Sequence, residues 1–133
     1  YAEQIYLIGD NSDQSINRDI VGNNDLNRVH DVAGTLSLLQ TKHLIEKAIL
    51  FIGNDSGPMH IAALSGIPTI GLLGPNFSYI SGPMGKKAIS IFHKLHCSGC
   101  NQRFCSKDGK CMKAITSEEV IVAFEKLLHE KTN

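Results

Sequence analysis

Apolar and polar positions fall into short alternating blocks along the chain. Ile5 to Gly9 (IYLIG) is an apolar run that ends in Gly-Asp-Asn, which predicts a strand followed by a turn. Ile16, Ile20 and Val21 stand at helical spacing, predicting a helix over 13–21 that breaks at Gly22-Asn23-Asn24-Asp25. Val29 to Val32 predicts a short strand. From Ser37 to Lys47, Leu38, Leu39, Leu44 and Ile45 are set among Gln, Lys and Glu, the pattern of an amphipathic helix. Ala48 to Ile52 (AILFI) is a continuous apolar run, the form taken by a strand buried on both faces. Pro58 to Leu64 predicts a short buried helix ended by Ser65-Gly66. Thr69 to Leu73 predicts another buried strand, and Ile89 to Phe92 one more.

The order strand, helix, strand, helix, strand, helix, strand with short links predicts an α/β fold, a parallel sheet with flanking helices built from βαβ units. The last element is the clearest. Thr116-Ser117-Glu118-Glu119 is a capping box that opens a helix over 117–130, with Val120, Ala123, Phe124, Leu127 and Leu128 on one face.

Composition narrows the function classes. The chain has 133 residues, 42% of them hydrophobic and 20% charged, as expected of one soluble globular domain with one core. Its 13 basic and 13 acidic residues balance, which argues against a dedicated nucleic-acid binder. No apolar run approaches the roughly 20 residues that span a bilayer. The chain opens on YAEQIYLIGD, without a basic leader region or an initiator Met and almost inside a strand, so it reads as a fragment or a processed chain.

Asn54-Asp55-Ser56-Gly57-Pro58 is a polar corner between two apolar segments, at the carboxyl end of a predicted strand and the start of a helix. In open parallel sheets ligands bind there. Pro58 suits the first helical turn, where its missing N–H is not needed, and Gly57 allows a close approach to the backbone. The amides of Ser56, Gly57 and their followers, with the helix dipole, form an anion site. Asp55 can accept bonds from ligand hydroxyls, and His60 can donate to a phosphate or sugar oxygen. The plainer alternative is that Asp55 or Ser56 only caps the helix. A second glycine-bearing corner, Leu72-Leu73-Gly74-Pro75-Asn76, ends the next strand at the same sheet edge and favours a crevice.

All four cysteines lie within fifteen residues, spaced Cys97-x2-Cys100-x4-Cys105-x5-Cys111. In a reducing compartment, the default without a secretory signal, such a cluster suggests metal. Four thiolates suit a tetrahedral structural zinc; disulfides and free thiols are the alternatives. His93 and His96 flank this loop, either as further ligands or as exposed loop residues. Lys86 and Lys87 follow a Gly-Pro-Met-Gly turn, and they, like Arg103, either reach an anion or sit in a solvated loop. Met59 and Met112 are expected to pack.

The stretch NDSGPMHIAALSGIPTIGLLGP resembles the signature of glycosyltransferase family 9, the ADP-heptose:lipopolysaccharide heptosyltransferases. GPMG at Gly82 to Gly85, CSGCNQRFCSKDGKCM at Cys97 to Met112 and ITSEEV before the last helix also look like it. The likeness spans nearly the whole chain and is strongest from Ala48 onward. Such enzymes have two Rossmann-like domains facing across a cleft, the GT-B arrangement, and the resemblance implies that residues 1–133 are most of the C-terminal, nucleotide-sugar-binding half without its first strand. It implies that Asp55 meets hydroxyls of an ADP-linked donor sugar, that Ser56, Gly57 and Pro58 form the diphosphate turn with His60 close by, and that Thr35, Leu36 and Ser37 meet the adenine. An acidic residue for the ribose falls at Asp13, with Asp10 as the alternative.

The same resemblance implies inverting transfer, with the helix N-terminus stabilising the departing diphosphate without a metal cofactor. The base that activates the acceptor belongs to the opposite domain, so this chain alone holds no catalytic residue and is expected not to turn over. The acceptor would be the lipopolysaccharide core, and the place the cytoplasm at the inner face of the inner membrane. Three rivals stand beside this expectation. They are a nucleotide-binding module without transfer activity, an epimerase on the same architecture, and a zinc-stabilised interaction domain whose corner is only a cap.

Overall fold

A computed structural model describes residues 4–22, 27–100 and 105–129. The predicted break at Asn23 to Asp25, Arg103, and the end of the last helix at residue 130 lie outside them. The chain divides into two compact units, Tyr1–His43 and Leu44–Asn133.

In the first unit, β1 (Ile5–Leu7) and β2 (Val29–Asp31) pair in parallel, Ile5 opposite Val29 and Leu7 opposite Asp31. A 3-10 turn at Asn11–Asp13 and helix α1 (Gln14–Gly22) connect them. Asn17 is the buried polar residue of α1, and its amide donates to Asp31 Oδ1 at 2.8 Å, so burial leaves it satisfied. Helix α2 (Leu38–Glu46) begins with a reciprocal cap: the Ser37 amide donates to Gln40 Oε1 at 2.8 Å, and the Gln40 amide to Ser37 Oγ at 3.4 Å.

The second unit holds a three-stranded parallel sheet in the order β3-β4-β5, with β3 at Phe51–Asn54, β4 at Thr69–Leu73 and β5 at Ala88–Phe92. Helix α3 (Gly57–Leu64) joins β3 to β4, a single turn α4 (Ser78–Ser81) precedes β5, a second short turn α5 (Lys110–Lys113) lies in the cysteine loop, and α6 (Ser117–His129) closes the unit. Strand residues point alternately to opposite faces, and β4 is covered on both. On one face Ile70 joins Ile91, Ala123 and Leu127, with Leu72, Val120 and Phe124 against them, so α6 packs there. On the other, Gly71 leaves just enough room that an added Cβ would lie 2.9 Å from both Met59 Sδ of α3 and Pro83 Cδ. Met59, Ile70 and Leu73 are fully buried, and each such side chain stabilises the fold by about 1.5–3 kcal/mol.

The periodicity of β4 and α3 is as read from the sequence. Helix α3 ends in a Schellman motif: Gly66, at φ +78°, follows the Ser65 cap, its amide donates to Ala63 O at 3.1 Å, and Ile67 N donates to Ala62 O at 3.1 Å. The strand expected over 48–52 differs. The last turn of α2 carries on through Ala48 N to Ile45 O at 2.9 Å, which delays the strand to Phe51. It is not buried on both faces, since Ile52 is 46% exposed. Among the described residues β3 bonds β4 alone, and an apolar run cannot tell an edge strand from a central one. No helix among the described residues is long and apolar enough to cross a membrane.

Candidate donor-binding site

The polar corner is where the sequence placed it. Strand β3 ends at Asn54, and Ser56 is the N-cap of α3 in extended conformation, φ −154° and ψ 162°. Its side chain does not cap the helix. Ser56 Oγ donates instead to the Asn54 carbonyl at 3.2 Å. The Asp55 carboxylate is turned to another partner: Oδ2 accepts from Asn76 Nδ2 at 2.8 Å. The capping alternative therefore fails for both residues, and the first amides of α3 are left for something else. Nothing lies within 4 Å of where a Gly57 Cβ would stand, so the backbone there faces open space. Pro58 is in the first turn, where an N–H would have no intrahelical partner.

His60 lies one position beyond the amides that have no intrahelical acceptor; its own N–H reaches Ser56 O at 3.4 Å. Its Nε2 is 3.8 Å from Asp55 Oδ1, too long for a hydrogen bond and an ion pair only when the ring is protonated. Asp55 and His60 are both part-exposed, 28% and 37% at the side chain. A carboxylate, an imidazole and a helix N-terminus thus open on one patch of solvent.

The second corner braces the first. Asn76 follows Gly74-Pro75 at the end of β4 and is the residue the sequence reading left out of the site, although it had marked the corner. The cysteine loop lies against this corner. Gly99 N donates to Pro75 O at 2.6 Å, and a Cβ on Gly74 would meet Met112 Sδ at 2.7 Å and Cys111 Sγ at 3.4 Å.

All four cysteines are unpaired and line one cavity of about 20 Å3 together with Pro75, Ser98 and Lys110, room for about one water-sized sphere. Cys105 Sγ accepts from Gly109 N at 3.3 Å; this bond and one from the Lys107 amide hold its thiol below the ordinary cysteine range. The expected zinc ligands share a hollow without meeting at a point, for among the described residues no group of three or more His, Cys, Asp or Glu is placed to hold a metal ion. The flanking histidines have other partners: His93 Nε2 lies 2.9 Å from Glu119 Oε1, and His96 contacts Lys107. Lys86 and Lys87 are exposed and enter β5 at its amino end. That is the edge opposite both corners, which removes the reading in which they reach the corner's anion.

The other expected site residues belong to the first unit. Asp13 caps locally, its Oδ2 accepting from Asp10 N at 2.9 Å. Asp10 accepts from the hydroxyl and amide of Ser12, bonds that hold its carboxyl below the usual range. Thr35 Oγ1 donates to Val32 O at 2.8 Å, Leu36 follows in the same loop, and Ser37 caps α2.

The family model of glycosyltransferase family 9 (heptosyltransferase) matches residues 2–111. The chain belongs to glycosyltransferase family 9. Among relatives in the family, lipooligosaccharide heptosyltransferase 2 of Campylobacter jejuni is 40% identical over 80 residues, 59% of this chain and 25% of its own length. Lipopolysaccharide heptosyltransferase 3 of Escherichia coli is 33% identical over 99 residues, 74% of this chain and 29% of its own. The chain thus spans little more than a quarter of the length of the curated relatives it matches. The structure of E. coli ADP-heptose lps heptosyltransferase II shares the fold at TM-score 0.78 and 24% identity, over 98% of this chain and 38% of that one. A family 9 glycosyltransferase from Veillonella parvula gives TM-score 0.78 and 25% identity, over 96% and 37%. The family 9 assignment and the parallel α/β fold therefore agree with the reading of the Asp-Ser-Gly-Pro stretch.

Proposed function

We propose that this family 9 chain binds an ADP-linked sugar, ADP-heptose, as the donor-holding part of a transferase that builds the lipopolysaccharide core. One observation carries the proposal: the N-terminus of α3 has no side-chain cap and opens on free space at Gly57, with Asp55 and His60 beside it. A pyrophosphate is the anion that suits such a turn, because the backbone amides and the helix dipole act together on it. Asp55 then accepts from sugar hydroxyls through Oδ1, and His60 donates to a phosphate or sugar oxygen. As the sugar leaves, negative charge gathers on the diphosphate, and the Ser56-Gly57-Pro58 turn stabilises it there. The base that activates the acceptor hydroxyl is assigned outside these residues, so this chain holds donor and performs no transfer alone. We place the activity in the cytoplasm, at the inner face of the inner membrane, with no nucleic-acid partner.

Titration calorimetry on the chain with ADP and with ADP-heptose tests the proposal. Both ligands are expected to bind the wild type, the sugar nucleotide more tightly, and Asp55→Ala is expected to bring ADP-heptose down to the affinity of ADP. Absence of binding by either ligand would falsify it.

A further inference from the structure

We infer that Asn76 is a positioning residue for the donor sugar, fixing the plane of the Asp55 carboxylate, and that the cysteine loop is the brace that holds Asn76 in place. This deepens the proposed function and rests on it. An aspartate carboxylate turns easily about its last bond, a broad and nearly two-fold torsion. Left to itself, Asp55 would present its oxygens to ligand hydroxyls in many orientations. The Asn76 amide removes that freedom by donating to Oδ2 at 2.8 Å. A carboxylate only accepts, so the amide nitrogen must be the group that faces it. Among the described residues the neighbour of the other oxygen, Oδ1, is His60 Nε2 at 3.8 Å, beyond hydrogen-bond distance. Its lone pairs are therefore the ones left for sugar hydroxyls.

Asn76 can do this only if its own backbone is held, and it follows a Gly-Pro pair beyond the end of β4. The cysteine loop supplies the hold at two points. Gly99 N donates to the Pro75 carbonyl at 2.6 Å, and Met112 and Cys111 fill the space beside Gly74 that any side chain would occupy. Pro75 is also part of the wall of the cysteine-lined cavity. Gly99, Cys111 and Met112 thereby act on donor binding through the backbone that carries Asn76.

The test compares ADP with ADP-heptose on the wild type, Asn76→Ala and Asn76→Asp chains. Losing the bond to a charged oxygen is expected to weaken ADP-heptose by about tenfold while ADP stays within about twofold. Asn76→Asp sets two carboxylates side by side, so one is protonated more readily. Its ADP-heptose affinity should be lower still at neutral pH and recover as the pH is taken toward about 5, a response that a merely structural role does not produce. Equal weakening of ADP and ADP-heptose by Asn76→Ala, or no weakening of either, overturns the inference and leaves the donor reading standing. Failure of the wild type to bind both ligands overturns the donor reading, and the inference with it.

Discussion

The side-chain amide of Asn76 donates to Oδ2 of Asp55 across 2.8 Å, tying the corner after β4 to the corner after β3. The two residues are 21 positions apart in sequence, and each follows a strand of the same parallel sheet. A hydrogen bond to a charged group is worth about 1.5–3 kcal/mol when shielded, and this one, with Asp55 part-exposed, is discounted to about 1 kcal/mol. A double-mutant cycle on urea unfolding reads it directly. Asp55→Ala and Asn76→Ala should each destabilise the chain, and the double variant should cost about 1 kcal/mol less than their sum. Strict additivity would mean that the two side chains do not meet in solution.

Ser56 and Thr116 stand at the starts of two helices, yet only one of them caps. Thr116 Oγ1 accepts from Glu119 N at 3.3 Å, while Ser56 Oγ is turned back to Asn54 O. Thr116→Ala is expected to lower stability by about 1 kcal/mol, the ordinary loss of an N-cap. Ser56→Ala should cost less than about 0.5 kcal/mol, since no cap is lost. Denaturant midpoints for the two variants check the contrast, and a larger loss at Ser56 would restore the plain capping role to the corner.

Gly57 and Gly85 differ in what surrounds them. An added Cβ at Gly57 meets nothing within 4 Å, whereas at Gly85 it would stand 2.6 Å from the Ala63 carbonyl oxygen and 3.4 Å from Ala63 Cα. Backbone cannot swing aside as a flexible side chain can, so Gly85→Ala is expected to cost about 1–3 kcal/mol. Gly57→Ala should be neutral or stabilise by up to about 1 kcal/mol, because alanine suits a helix better. The same methyl intrudes on the approach to the amides and should weaken ADP several-fold in calorimetry. Unchanged ADP affinity would move the phosphate away from this turn.

The parts of the fold legible in the sequence were those whose pattern carries its own stereochemistry. Thr69 to Leu73 is buried on both faces by α3 and α6 and reads as an unbroken apolar run; Ser65-Gly66 requires the left-handed residue that Gly66 supplies. Ala48 to Ile52 misled because apolar residues ending a helix and beginning a strand look alike, and because burial depends on neighbours that a single run does not name. At the candidate site, the strand-to-helix corner from Asp55 to His60 could be read because its residues are contiguous. Asn76 could not, since its contact is with a residue on another strand. The signal that was available is the polar residue just past Gly74-Pro75, at the same sheet edge. The four cysteines were read by spacing alone, and spacing fixes neither where thiols point nor whether they converge.

Glu119 is expected to make the second unit sensitive to acid. It accepts from Thr116 N at 2.9 Å and pairs with His93, and these two contacts, the backbone bond first, hold its carboxyl below the usual value. A carboxyl depressed on folding stabilises the folded state in full above its unfolded value, here 4.5. That contribution fades as the pH falls below this value through the lower folded one, because the unfolded chain then binds the proton more readily. Urea midpoints measured from pH 6 down to about 3 should therefore fall for the wild type, and fall less steeply for Glu119→Gln. The glutamine keeps an oxygen for the Thr116 amide, so the cap survives while the charge does not. Parallel curves for the two proteins would place the acid sensitivity elsewhere, and a shallower one for Glu119→Gln ties it to the joint between β5, through His93, and the first turn of α6.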